Sequence, residues 1–216
     1  MKLVVLGATG GTGRLLVDQA LGRGHEVVAY VRRPAALERR EGLVVVAGEL
    51  TDAPSLTAAL AGADGVLCAI GPKGVKDLFG SDLMRRTLPV VAAAMTAAGV
   101  RRLVLMSAYG VGDTAASASP MARIAFATAV RSLYRDKQLA EARLADSDLD
   151  VTTVYPTALT NDPSAAADVR DVTTLSRVSG MPKISRAAVA TAMLDAVEDP
   201  ATVGRRLLVT RPGTAA

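Results

Sequence analysis

The chain has 216 residues, half of them apolar, and 25 basic against 21 acidic side chains leave a net charge of +4. This length suits one domain with a substantial core, and the sequence has neither a bilayer-spanning apolar stretch nor a signal-peptide pattern, so we expect a cytoplasmic protein without a membrane partner. One cysteine and one histidine exclude an internal disulfide and a usual zinc site, and scattered basic pairs with few aromatic residues predict no nucleic-acid partner.

The first predicted element is a strand at 2–6, which runs directly into a glycine-rich turn and a helical pattern at 11–22. Gly7, Gly10 and Gly13 have the spacing G-x-x-G-x-x-G at this junction. Tight glycines let the backbone approach a pyrophosphate, and the helix that follows directs its free N–H groups at the phosphates. The alternative is an ordinary β–α turn. The motif predicts a dinucleotide site built from Gly7, Ala8, Thr9, Gly10, Gly11, Thr12 and Gly13.

Apolar runs and helical patterns then alternate along the chain. Further strands are predicted at 26–31, 43–47, 64–69, 102–107, 150–155 and 206–209, and further helices at 53–61, 81–98, 120–146 and 185–198. This alternation predicts an α/β fold, a Rossmann-type doubly wound parallel sheet in a three-layer α/β/α sandwich. We expect a single domain over 1–211, followed by a loose tail at 212–216.

In such a sheet the ligand lies beyond the carboxyl ends of the strands. The candidate ligand-binding residues at those ends are Glu49, Leu50, Ala69, Ile70, Gly71, Ser107, Tyr155, Pro156 and Thr157. Tyr109 and Tyr155 are candidates to flank a nicotinamide in a chain with few aromatic side chains. Three long loops, at 71–80, 108–119 and 157–184, are predicted to form the walls and lid of a substrate pocket.

The second strand ends in Arg32 and Arg33, with no acidic residue beside them. An acid at this point usually binds the ribose 2′-hydroxyl of NAD, whereas a 2′-phosphate requires cations. An arginine pair suits phosphate in both charge and geometry. Two solvated arginines are the alternative. We therefore expect NADP(H) as the cofactor, preferred over NAD(H).

Several segments spread over the chain share a family pattern: 7–13, 31–34, 48–52, 98–104, 107–108, 144–152 and 183–186. They resemble the atypical short-chain dehydrogenase/reductases with an NAD(P)H-binding domain, and within that group the biliverdin-IXβ reductase/flavin reductase type and its NmrA-like relatives. The resemblance implies that Ser107 stands where the superfamily has its active-site serine. It also implies that Lys137 reaches the nicotinamide ribose.

The superfamily's usual tyrosine lies four residues before its lysine, and the lysine lowers the pKa of the tyrosine so that it can protonate a carbonyl. Here Leu133 occupies that position and Tyr134 lies three residues before Lys137. Ser107, Tyr134 and Lys137 are the candidate catalytic residues, but a conventional Tyr–Lys pair is not expected. Lys137 interrupts an apolar helical stripe. It either contributes to the functional site or lies at the edge of the core with its ammonium group in water. Glu141, four residues on, is placed to pair with it. Ser107 could equally bond its own turn.

Without a well-placed acid, a conjugated acceptor is favoured, because it spreads the incoming charge and takes a proton from solvent. We therefore expect an NADPH-dependent reductase of a flavin, quinone or tetrapyrrole-like small molecule. Two alternatives stay open: an NmrA-like sensor that reads the NADP(H) ratio without turnover, and an epimerase or isomerase with retained cofactor. We expect a monomer or a weak homo-oligomer.

Overall fold

The computed structural model describes residues 1–71 and 82–216. Its strands are β1 Lys2–Leu6, β2 Glu26–Val31, β3 Leu43–Ala47, β4 Gly65–Cys68, β5 Arg102–Met106, β6 Asp150–Pro156, β7 Ala158–Thr160, β8 Asp168–Asp171, β9 Lys183–Ser185 and β10 Arg206–Thr210. Its α-helices are α1 Gly11–Gly22, α2 Ala53–Leu60, α3 Leu83–Ala97, α4 Pro120–Thr128, α5 Arg131–Ala145 and α6 Arg186–Glu198.

Eight strands form one sheet in the order β3-β2-β1-β4-β5-β6-β10-β8, and all neighbours are parallel except β10 and β8. The strand order reverses beside β1, which pairs with β2 on one side and β4 on the other. Such a reversal opens a crevice at the carboxyl ends of the strands. The predicted Rossmann-type three-layer fold is confirmed.

Alternate residues of β1 enter two separate cores. Leu3 and Val5 pack with α1 and α6, whereas Val4 and Leu6 pack with α2, α3 and α5. A strand covered by helices on both faces is apolar throughout, as β1 is. The helices predicted at 53–61 and 185–198 are present as α2 and α6, and the side chains of Asp52 and Ser185 cap them by accepting a hydrogen bond from the first turn.

The predicted helix at 120–146 is wrong as one continuous element. Val130 has φ −121° and ψ 12° and separates α4 from α5. The helical spacing of apolar residues continues on both sides of Val130, so the sequence pattern does not indicate that the helix is interrupted there.

The two described long loops contain more structure than expected. The 108–119 loop includes a 3-10 helix at Gly112–Ser117, and the 157–184 loop includes β7, β8 and the start of β9. Strand β8 is polar and lies at the sheet edge, so it lacks the apolar run that predicts a strand. Residues 72–80 of the loop predicted at 71–80 lie outside the described residues.

The residues at 212–216 are held by main-chain hydrogen bonds instead of forming a loose tail. Ala216 accepts from the N–H of Ser176 and of Arg177, and Thr214 accepts from Ser179. This pairing joins segments distant in sequence, so composition at 212–216 could not predict it. Among the described residues, no helix is long and apolar enough to cross a bilayer, and no acidic, cysteine or histidine cluster suits a metal ion.

Candidate functional site

A cleft of about 1480 Å³ opens at the carboxyl ends of the parallel strands. It brings together most of the residues that the sequence predicts for the site. These are Gly7, Thr9, Gly10, Gly11, Thr12, Arg32, Glu49, Leu50, Ala69, Ile70, Gly71, Ser107, Tyr134, Lys137, Pro156 and Thr157. The fold therefore assembles these segments around one concave surface, as expected for the crevice of a doubly wound sheet.

The glycine turn at the start of α1 leaves no room for side chains. A Cβ on Gly7 would lie 2.7 Å from the Ala69 oxygen, and one on Gly13 would lie 2.1 Å from the Gly7 oxygen. Gly7 also has φ +84°, which favours glycine. No side chain caps the first turn of α1, and that turn contains no acidic residue. These features fit a dinucleotide, because an uncapped helix start offers its N–H groups to an anion.

Four predicted cofactor-binding residues do not line the cleft. Ala8 is wholly buried in the core, and Gly13 packs against the turn that it shapes. Arg33 follows Arg32 but, unlike it, is not among the lining residues. Tyr155 is 2% exposed and contacts Glu141 and Arg206. Successive strand side chains point to opposite faces, so Tyr155 lies away from the cleft that Pro156 lines.

Tyr30 shapes the far end of the cleft, a role that sequence reasoning missed. Its hydroxyl donates to the main-chain oxygen of Glu49 at 3.0 Å. A Cβ on Gly48 would lie 2.1 Å from the same hydroxyl, so only glycine fits there. The ring thus positions the turn at Glu49 and Leu50. The sequence signal that could have indicated this contact is Gly48, directly after β3. That Tyr30 is the side chain beside it depends on the pairing of β2 with β3.

Lys137 is 4% exposed and borders the cleft. Its ammonium group donates to the Met106 oxygen at 3.3 Å and makes no other hydrogen bond within the described part of the chain. An ammonium group has three donors, so two remain for a ligand. Burial lowers the pKa of Lys137, and the charge of Glu141 opposes that shift.

Tyr134 borders the cleft without offering it a proton. Its hydroxyl donates to the main-chain oxygen of Tyr109 at 3.0 Å. Burial raises the pKa of Tyr134 to about 12, so the phenol holds its proton. The side chain instead packs against Phe126, with ring centroids 5.4 Å apart. This arrangement directs the Tyr134 hydroxyl to the Tyr109 main chain and makes the side chain part of the cleft wall.

Ser107 and Tyr155 meet at Glu141, a residue that the sequence assigned to Lys137. Ser107 Oγ donates to Glu141 Oε1, and Tyr155 Oη donates to Glu141 Oε2 at 2.7 Å. No ion pair joins Glu141 to Lys137 in the described part of the chain. The expectation of a Lys137–Glu141 pair is therefore wrong, because Glu141 turns toward the ends of β5 and β6. Ser107 likewise bonds Glu141 and not its own turn.

Arg186 is a second feature that sequence reasoning missed. Its side chain lies 2.9 Å from the position of a Cβ on Gly11, at the start of α1. Its guanidinium donates to the Asn161 side-chain oxygen at 2.6 Å, and no described carboxylate pairs with it. A cation beside the positive end of a helix dipole is unfavourable unless an anion binds there. Arg186 therefore adds a charge suited to the dinucleotide phosphates.

One wall of the cleft is apolar. Small and aromatic side chains of α4 and its neighbours face it, namely Ala122, Ala125, Phe126, Ala129, Val130 and Leu133. Tyr109 packs edge-on against Phe126, with centroids 5.9 Å apart. An apolar wall suits an organic ligand with an apolar face.

The fold and the cleft define a dinucleotide-binding protein of the Rossmann class. A model of the NAD(P)H-binding family matches residues 7–200. The chain belongs to this NAD(P)H-binding family of atypical short-chain dehydrogenase/reductases.

Individual relatives differ in length from this chain. An uncharacterized chloroplastic protein of Arabidopsis thaliana is 31% identical over 75% of this chain and 60% of its own length. Oxidoreductase stcQ of Emericella nidulans is 34% identical over 73% of this chain and 65% of its own. The chain thus spans less than two thirds of these relatives. Among solved structures, ChuY, an anaerobillin reductase from Escherichia coli O157:H7, is 25% identical with a TM-score of 0.77, covering 99% of this chain and 98% of that one.

Proposed function

We propose that this protein is an NADPH-dependent reductase that transfers hydride to a conjugated acceptor such as a flavin, a quinone or a bilin. The observation that carries the proposal is the state of Tyr134, whose proton is committed to the Tyr109 main-chain oxygen beside an apolar wall. A simple ketone needs a proton donor as hydride arrives, whereas a conjugated acceptor delocalises the charge. The similarity to an anaerobillin reductase supports this acceptor class.

Different residues of the cleft bind different parts of the cofactor and the acceptor. The start of α1 and Arg186 hold the phosphates, and Lys137 donates to a hydroxyl of the bound ligand. The wall of α4 excludes water from one side of the acceptor. When bound, the reduced dinucleotide supplies the hydride, and the proton comes from solvent.

The preference for NADPH is supported by Arg32. It is exposed at the end of β2 and lines the cleft, where no acidic residue follows the strand. A guanidinium binds a phosphate through charge-assisted hydrogen bonds.

Arg32→Ala and Arg33→Ala form a matched pair for testing this preference. Calorimetric titration should show NADPH binding weakened about tenfold or more by Arg32→Ala, with NADH binding nearly unchanged. Arg33→Ala should bind both much as the wild type does. Equal affinity of the wild type for NADH and NADPH would contradict the preference.

Turnover tests the reaction itself. NADPH absorbance is followed with FMN, a simple quinone and biliverdin as acceptors, and in parallel with an aldehyde and a ketone. Oxidation of NADPH by at least one conjugated acceptor, and by neither carbonyl compound, is the expected result. Turnover of the ketone alone would overturn the proposal, and tight NADPH binding with no turnover would favour a sensor.

A further inference from the structure

The Ser107 hydroxyl has no proton left for the cleft. A serine hydroxyl carries one proton and two lone pairs, and Ser107 Oγ donates its proton to Glu141 Oε1. Ser107 still borders the cleft. What it presents there is therefore an acceptor.

The direction of this hydrogen bond agrees with that of a chain of groups that reaches the surface. Arg206 can only donate, and its Nε lies 3.4 Å from Tyr155 Oη. Tyr155 Oη in turn donates to Glu141 Oε2 at 2.7 Å. Burial raises the pKa of Tyr155, as does the charge of Glu141, so the phenol keeps its proton. Glu141 thus receives a hydrogen bond from each side.

The charges around Glu141 suit a carboxylate. The positive charge of Lys137 lies one helical turn before Glu141 and interacts with it without an ion pair. Arg206 lies on the far side of Tyr155, with its guanidinium 5.4 Å from the centre of the Tyr155 ring. Asp113 balances Arg206 at the surface, with one N–O distance of 2.8 Å. An ionised carboxylate accepts and never donates. The order of donors and acceptors is therefore consistent from Asp113 to Ser107.

We propose that Glu141 is a positioning residue that holds Ser107 as a hydrogen-bond acceptor, so that the cleft selects a ligand group bearing an N–H or O–H at this point. The inference rests on the proposed function, because that group belongs either to the nicotinamide carboxamide or to the acceptor molecule. A ligand carbonyl at the same point would place its oxygen against the lone pairs of Ser107 Oγ, so its binding is disfavoured.

The experiment measures binding and not turnover, so a protein that binds NADP without reducing anything still answers it. One pair of ligands is NADP and its 3-acetylpyridine analogue, in which a methyl group replaces the amide nitrogen. The other pair is lumiflavin and 3-methyllumiflavin, titrated in the presence of NADP. The wild type should bind the donor-bearing member about tenfold more tightly in at least one pair. The pair that shows the preference identifies the source of the donor.

Glu141→Gln should remove that preference. Arg206 donates to Tyr155 Oη, so the Tyr155 proton stays directed at residue 141 and the glutamine oxygen faces Tyr155. The glutamine NH2 group then faces Ser107 Oγ and donates to it, which releases the serine proton to the cleft. Tyr155→Phe keeps the Ser107–Glu141 bond and should retain the preference. Glu38→Gln removes an exposed carboxylate and serves as the charge control. Thermal melting of each variant checks the fold. If Glu141→Gln does not fold, Ser107→Ala replaces it, because that variant removes the acceptor oxygen and should also lose the preference.

Equal binding within both pairs by the wild type would overturn the proposal. So would Glu141→Gln with the full wild-type preference. Infrared difference spectra between the wild type and Glu141→Gln provide a check without ligand, since they should contain a carboxylate band at neutral pH. A band of a protonated acid in its place contradicts the assignment.

Discussion

The position of Arg186 favours the binding of an anionic ligand and lowers the stability of the free protein. Its guanidinium lies against Gly11, where the dipole of α1 is already positive, and no described carboxylate offsets it. Repulsion in the free protein and attraction to phosphate in the complex come from the same placement.

Arg186→Gln should therefore affect stability and binding in opposite directions. We expect unchanged or slightly raised thermal stability of the free protein, and a loss of about tenfold or more in affinity for both NADPH and NADH. Calorimetry and melting curves measure the two effects. If only the affinity for NADPH falls, Arg186 binds the 2′-phosphate instead, and the effect should then resemble that of Arg32→Ala.

Gly13 is a second test at this scale. Gly13→Ala puts a methyl group 2.1 Å from the Gly7 oxygen, so the turn or α1 must move. We expect about 1–3 kcal/mol of destabilisation in urea unfolding, together with weaker NADPH binding. Gly22→Ala is the control in the same helix, because its Cβ meets nothing within 4 Å. That variant should be as stable as the wild type or slightly more so.

At the scale of elements, α5 supplies the cap for α3. The Asp136 carboxylate accepts hydrogen bonds from Met84 N at 2.9 Å and from Arg85 N at 3.2 Å, at the start of that helix. Asp136 is 3% exposed and precedes Lys137 directly. These contacts thus hold the start of α3 against α5, the helix that carries Lys137.

Asp136→Asn should loosen this junction. An asparagine replaces one acceptor with a donor that faces a main-chain N–H, and a buried group left unsatisfied costs about 1–3 kcal/mol. Urea unfolding measures the loss. Asp146→Asn is the control, because it removes an exposed charge at the end of α5, where the helix dipole disfavours an acid. Equal stability of the two variants would contradict the capping role.

The elements were largely predictable because their signals are local. Strand β1 and helix α1 have the expected bounds, and α2 and α6 begin within one residue of the predicted starts. The break at Val130 and the polar strand β8 were not predictable, since each depends on distant packing. Hydrophobic period cannot report a bend that leaves the apolar face in phase.

At the scale of the whole molecule, polar contacts join segments far apart in the chain. Arg206 of β10 binds Asp113 of the 3-10 helix at 112–117, 93 residues earlier. This pair fastens that loop to the sheet beside the Tyr155–Glu141 chain.

Acid should weaken this connection. The hydrogen bond from Arg206 holds the pKa of Asp113 below its ordinary value, although partial burial opposes the shift. A depressed pKa contributes stability above the unfolded pKa of about 3.9, and that contribution is lost as pH falls through the folded pKa. Urea unfolding should show Asp113→Asn less stable than the wild type near neutral pH, with a smaller difference below about pH 4. A difference independent of pH would contradict this linkage.

The sequence by itself determined the layered sheet, the glycine turn and the row of strand ends that border the cleft, because periodicity and spacing act over a few residues. The tertiary structure decided which side chains face that cleft. Glu141 bonds Ser107 instead of Lys137, Tyr155 points away, and Tyr134 keeps its proton. The physical reason is that hydrogen-bond partners are chosen by proximity in space. Ser107 and Glu141 are 34 residues apart and meet only once β5 and α5 have packed.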